Sequence, residues 1–205
     1  MHSLRGFRVK SQAIFPTTIW THELPDLLPM LSAWRQRLDA MRDREQQGQG
    51  RSTRDGWSGP KTLFDDPAFQ VLKAQSQQAF AHALRQMGVP DGFSFSMEAW
   101  ANIHDAGGFN QPHIHREAVL SGCFYLHTPP GSGSIVFHDP RPGTLYSRPW
   151  GKGVNSWSKI GMQVRAGSLL VFPHWLEHSV EPNHAAEGRY SIAMNAILPY
   201  RARKS

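Results

Sequence analysis

The stretch NQPHIHREAVLSGCFYL, residues 110–126, sets His113, His115 and Glu117 on alternate positions, with Ile114 and Arg116 between them. In extended chain, successive side chains go to opposite faces, so these three point the same way. Two imidazoles and a carboxylate crowded on one face cost desolvation and repulsion unless they share a bound ion, and a divalent metal is the commonest such ion. The apolar run behind them continues the strand, so the stretch reads as β structure carrying a metal-type element.

Working outward, short alternating or apolar runs recur from residue 93 onward. They are FSFSMEAWANI (93–103), SGSIVFHD (132–139), GMQVRAGSLLVFP (161–173), LEHSVEPN (176–183) and RYSIAMNAIL (189–198), punctuated by Gly, Pro and Asn. Strands this short and this frequent predict an antiparallel sandwich or jelly roll. Upstream, residues 13–20 read as a short strand. Residues 24–44 read as a helix with Leu27, Leu28, Leu31, Trp34 and Leu38 at helical spacing. Residues 46–59, polar and Gly-rich, read as a loop. A second helix is expected over 67–87, with Phe69, Leu72, Ala79, Phe80, Ala83 and Leu84 facing the core, closed by Gly88 and Pro90. The two helices would cover one sheet. Residues 139–160, rich in Gly, Pro, Arg and Trp and without alternation, read as an insertion that forms a lid.

With 205 residues and 23.1 kDa, the chain suits one domain, with 1–92 as the supporting strand and helices and 93–200 as the β core. A net charge of +6 is spread over a helix face (Arg35, Arg37, Arg42, Arg44) and a tail (Arg201, Arg203, Lys204), without the clustered basic face that a nucleic-acid partner requires. Anionic substrates remain compatible with it. The single Cys123 excludes an internal disulfide framework and reads as a small core residue. No stretch approaches a membrane span and the start lacks a signal-type apolar run, so the expected location is cytoplasmic.

A third histidine completes the opening pattern: His178, in FPHWLEHSV, lies 63 residues after His115 at the end of a strand-like run. His-x-His on one strand and a distant histidine on another is how a jelly roll builds a three-ligand face that leaves other metal positions open. Eleven residues further on, Arg189 opens the next strand, with Ser191 facing the same way. A strand-borne arginine beside an inward hydroxyl suits a bidentate grip on a carboxylate.

Four linked motifs, NQPHIH, LSGCFYL, GSLLVFPHWLEHSV and RYSIAMN, give the region from about 93 to 198 a resemblance to the iron(II)- and 2-oxoglutarate-dependent dioxygenases. It is most similar to a small bacterial and phage group of 2-oxoglutarate oxygenases. The resemblance implies a double-stranded β-helix fold, mainly β (α+β), with iron(II), 2-oxoglutarate and O2 as reaction partners and succinate and carbon dioxide as co-products. It makes His113, His115 and His178 iron ligands. Arg189, aided by Ser191, becomes the partner of the cosubstrate's far carboxylate, and Tyr125 a further donor. Asn102 and Asn110 become pocket-wall residues; Asn195 faces the same side.

Most of that superfamily carries a carboxylate where this pattern has a second histidine. His115-Arg116-Glu117 is itself a His-x-Glu pair, so Glu117 is the alternative ligand, with His113 then behind the metal. Two further readings stand beside the dioxygenase: a cupin-like three-histidine enzyme that does not use 2-oxoglutarate, and a jelly-roll binding module without catalysis. Arg141, Arg148, Trp150 and Trp157 of the insertion are substrate-contact candidates. The substrate itself is unidentified from sequence.

Overall fold

The computed structural model describes residues 10, 12–45, 48, 50–145 and 157–198. Among these, nine strands form one hydrogen-bonded network curled into a half-barrel. They are β1 (Trp20–Glu23), β2 (Thr53–Ser58), β3 (Ser96–His113), β4 (Leu120–His127), β5 (Ile135–His138), β6 (Lys159–Met162), β7 (Ser168–Pro173), β8 (His178–Val180) and β9 (Arg189–Ile197). Their order is β1-β7-β4-β9-β3-β8-β5-β6, antiparallel throughout, with β2 on the free side of β3. This is the expected jelly roll.

Strand β3 joins the two halves. Its first part pairs with β9 from Ser96 opposite Ile197 to His104 opposite Arg189, and its last residues pair with β8, His113 opposite His178. Gly107 and Gly108 make the crossing possible. Gly107 has φ +84°, a conformation that side chains disfavour, and a Cβ on Gly108 would sit 2.4 Å from the Asp55 carbonyl oxygen. The β8–β9 connection seals the bend, since Gly107 donates to the Asn183 carbonyl and Asn183 donates back to that of Gly108.

The alternation of β9 separates two cores. Tyr190, Ile192, Met194 and Ala196 join the outer layer with Phe124 and Leu126 of β4, Leu169 and Val171 of β7, and both helices. The opposite face of β4 and β7, with Tyr125, Leu170 and Phe172, meets Ile135 and Phe137 of β5 in the barrel interior. Helix α1 (Leu31–Arg44) buries Leu31, Trp34 and Leu38, and α2 (Gln70–Gln86) buries Leu72, Ala79, Phe80, Ala83 and Leu84. As expected, two helices lie on one sheet. Gly88, at φ +82°, ends α2 with the Val89 amide bonded to the Leu84 carbonyl.

Four local expectations are corrected. Residues 13–19 are not a strand, because Pro16 interrupts them and Phe15 takes a positive φ of 54°; pairing begins at Trp20. The first helix starts at Leu31, since Pro25 and Pro29 hold Pro25–Met30 in a 3-10 turn. Residues 53–58 of the expected loop are β2: Gly56 packs where a Cβ would meet the Ile103 carbonyl oxygen at 2.5 Å, and Trp57 is buried, donating to the Glu45 carbonyl at 2.8 Å. The segment 161–173 is not one strand but the end of β6 and all of β7, split at Gly167 (φ +86°).

Of the insertion, Arg141 ion-pairs with Asp139 at 2.7 Å and Trp157 is 46% exposed. Arg148, Trp150 and the basic tail lie outside the described residues. No described helix is long and apolar enough to cross a membrane.

Candidate active site

The three histidines come together, but not as period-two neighbours of one strand. His113 is the last residue of β3, His115 lies in the following loop, and His178 opens β8 opposite His113. One potential ligand atom from each lies within 4.8 Å of the others. Glu117 sits exposed in the turn after His115, outside that group.

The imidazoles are pre-set to present Nε2. His113 Nδ1 donates to the Gln111 carbonyl at 2.7 Å and His178 Nδ1 to that of Leu176 at 2.9 Å, so in the neutral ring each Nε2 keeps a lone pair. His115 Nε2 is buried and has no hydrogen-bond partner. Burial, reinforced by His113, pushes His115 down to about 4. Burial first, then His113, holds His178 well below the usual histidine range, and burial lowers His113 too. Three neutral imidazoles with an orphaned ring nitrogen among them form a donor set that fits a divalent transition metal.

The His115 loop is held from both sides. His115 donates its amide to the His174 carbonyl at 3.1 Å, and His174 Nδ1 donates to the His115 carbonyl at 2.8 Å. Trp100 stacks on the ring at 5.6 Å, and Lys61 lies 5.3 Å from the Trp100 ring while pairing with Glu98 at 2.6 Å. Glu98 also accepts from Asn195, whose oxygen accepts from Ser121. Phe172 meets His178 edge-on at 4.7 Å, closing the apolar side of the cluster.

Deeper in the barrel, strand register sets out a second group. Tyr125 of β4, Ser191 of β9 and Asn102 of β3 stand opposite one another across three neighbouring strands. Arg189 is the next inward residue of β9, 1% exposed, with its Cζ 5.4 Å from the Tyr125 ring centre. Its Nε and Nη1 are buried without a hydrogen-bond partner, as is the Tyr125 hydroxyl. Burial raises the Tyr125 phenol well above its usual value, so it remains a donor. Burial likewise raises the Cys123 thiol, which keeps it protonated at neutral pH. A guanidinium buried without a counter-charge costs several kcal/mol, which an arriving carboxylate recovers.

The two asparagines expected in the wall are both held by β2 and its lead-in: Asn102 accepts from Ser58 at 2.8 Å, and Asn110 donates to Ser52 at 2.9 Å. Asn110 also bonds His104 Nε2. His104, 2% exposed, lies beyond the alternating run 93–103, where the sequence HDAGG gives no sign that β3 continues to His113. His174 gives no signal in the sequence, since its part is a backbone clamp.

A family described as "Putative 2OG-Fe(II) oxygenase" matches residues 98–195, a span holding the histidine cluster, Tyr125 and Arg189. No curated protein matches the chain. Solved structures with this architecture include a Pseudomonas putida prolyl-4-hydroxylase (TM-score 0.61, 18% identity, covering 89% of this chain and 94% of that one). HygX from Streptomyces hygroscopicus, solved with nickel and 2-oxoglutarate, is similar at TM-score 0.63 and 12% identity over 90% of this chain and 84% of its own. A prolyl hydroxylase from Trichoplax adhaerens in complex with a hypoxia-inducible-factor peptide gives 0.58 and 13%, over 87% and 83%. At these identities the likeness is one of fold, the double-stranded β-helix. The family match adds a likeness in sequence: residues 98–195, just under half of the chain and the part that carries these groups, are similar to the iron(II)- and 2-oxoglutarate-dependent oxygenases, which are oxidoreductases.

Proposed function

We propose that residues 1–205 form one oxygenase domain that hydroxylates an organic substrate. In this reading His113, His115 and His178 hold iron(II), and Arg189, Ser191 and Tyr125 receive the far carboxylate of 2-oxoglutarate. The observation that carries it is the unpaired, 1%-exposed guanidinium of Arg189, deeper in the same barrel as three converging neutral imidazoles. A cupin-like three-histidine enzyme has no need of that buried cation.

When bound, iron, 2-oxoglutarate and O2 supply oxidation of a substrate C–H bond coupled to decarboxylation of the cosubstrate to succinate and carbon dioxide. The chain's own residues do the placing. Backbone carbonyls orient His113 and His178, His174 and Trp100 fix His115, and burial keeps all three rings unprotonated at neutral pH, so protons do not compete for the lone pairs. Arg189 aligns the dicarboxylate by its charge, and the neutral Tyr125 phenol donates to it. Phe137, Leu170 and Phe172 line the interior and exclude water. No side chain has to act as a general base. A ligand set without a carboxylate leaves more positive charge at the centre, which strengthens its hold on a dianion. The same reading places the enzyme in the reducing cytoplasm, where Cys123 stays a thiol.

The test is succinate formation from 2-oxoglutarate in air, followed by mass spectrometry. The expected result is iron-dependent succinate that is lost in His178→Ala and retained in Glu117→Ala. Iron-loaded wild type that makes no succinate overturns the proposal, and loss in Glu117→Ala with retention in His113→Ala would restore the His-x-Glu ligand set.

A further inference from the structure

Beside Arg189 lies a buried group that the mechanism above leaves unused. His104 stands opposite Arg189 in the β3–β9 pairing, and its Nδ1 is buried without a hydrogen-bond partner. With Arg189 Nε, Arg189 Nη1 and the Tyr125 hydroxyl, it makes four orphaned polar atoms from three adjoining strands. A carboxylate offers about four acceptor sites. The His104 ring is held in place. Its Nε2 bonds Asn110 Oδ1, whose amide nitrogen donates to Ser52, so Nε2 carries the hydrogen and the neutral ring presents a bare Nδ1. Gly56 of β2 packs against the ring, where a Cβ would lie 3.3 Å from His104 Cδ2.

We propose that His104 is a proton-dependent contact to the far carboxylate of the cosubstrate: neutral in the empty pocket, it takes up a proton as the dicarboxylate enters and donates from Nδ1. This rests on the 2-oxoglutarate reading above.

A bare Nδ1 facing a carboxylate sets lone pair against lone pair, whereas an imidazolium there completes the anion's hydrogen bonds. In the empty pocket burial, and after it Arg189, pushes His104 down to about 4, so the ring is neutral at physiological pH. The bond to Asn110 and the charge of Asp105 act weakly the other way, and the Asp105 carboxylate is itself paired with Arg42 of α1. From β9 the facing group is Arg189, and from β2 it is the uncharged Gly56; the Asn183 side chain meets His104 at its backbone carbonyl and not at its ring. An entering carboxylate brings one negative charge, which offsets the Arg189 field at His104, and it accepts a hydrogen bond from a protonated Nδ1; both effects raise the affinity of His104 for a proton.

The experiment is calorimetric titration of the Ni(II)-loaded full chain with 2-oxoglutarate at pH 6.5, in buffers of different ionisation enthalpy, which counts the protons taken up. The comparison ligand is 2-oxohexanoate, which keeps the keto acid and lacks the far carboxylate. Wild type should take up about one more proton with 2-oxoglutarate than with 2-oxohexanoate. Its 2-oxoglutarate affinity should weaken several-fold from pH 6.5 to 8, where both carboxylates stay ionised. In His104→Gln the extra proton and the pH slope should vanish while Ni(II) stoichiometry is unchanged. Equal proton counts for the two ligands in wild type overturn the inference even if the variant does not fold, as does an unchanged count in a folded variant. Wild type that binds Ni(II) but not 2-oxoglutarate overturns the cosubstrate reading itself.

Discussion

Arg189 is the residue at which stability and function pull apart. An unpaired guanidinium in a barrel interior is a cost to the folded apoprotein, and replacing such a charge by an apolar side chain of similar length is often stabilising. Arg189→Met is therefore expected to raise the unfolding free energy of the apoprotein by about 1–3 kcal/mol in urea titrations. The same variant should weaken 2-oxoglutarate binding by roughly two orders of magnitude, the worth of one or two charge-assisted hydrogen bonds. A variant both less stable and unaltered in binding would mean that Arg189 is structural. Tyr125→Phe removes one neutral donor, so a loss of only about 2- to 10-fold in affinity is expected by the same calorimetry.

At the scale of the elements, the crossing of β3 from one half of the barrel to the other depends on two adjacent glycines. Gly108→Ala places a methyl group against the Asp55 carbonyl and pushes β2 away, with an expected cost of about 1–3 kcal/mol. Since the same bend delivers His113 to His178, metal affinity should fall with stability, whereas Phe124→Ala in the outer core should cost about 3–5 kcal/mol and leave metal stoichiometry intact. Thermal melts with and without Ni(II) separate the two cases. These particulars also show what was readable in the sequence. The strand positions of His178, Arg189 and Ser191 were, because they lie at the starts of strands whose alternation is plain. Strand β2 was not, because pairing there is between backbones: TRDGWS has no apolar period, and Gly56 and the bulge at Asp55 (φ 46°) look like loop chemistry. Likewise the alternation of His113, His115 and Glu117 pointed to a metal site for a reason the structure does not keep. β3 ends at His113, and it is the loop, clamped by His174, that turns His115 inward and leaves Glu117 in solvent.

For the whole molecule, burying several histidines in neutral form ties folding to pH. In the unfolded chain a histidine binds its proton near 6.5, whereas His104 and His115 in the fold do so only near 4. Between those values the unfolded chain holds more protons, so apoprotein stability is highest above about 6.5 and declines as pH falls toward 4. His104 alone contributes about 3 kcal/mol to that decline. Urea midpoints taken from pH 7.5 to 4.5 should fall accordingly, and His104→Gln should flatten part of the slope; a level profile would contradict the buried, neutral assignment.

The most direct test of the central claim is anaerobic addition of iron(II), then 2-oxoglutarate, to the apoprotein, watching for the weak visible charge-transfer band of the iron chelate. The account predicts a band in wild type and in Glu117→Ala, and its loss or marked weakening in Arg189→Met and His178→Ala. Bound iron that develops no band in wild type at saturating 2-oxoglutarate would contradict it.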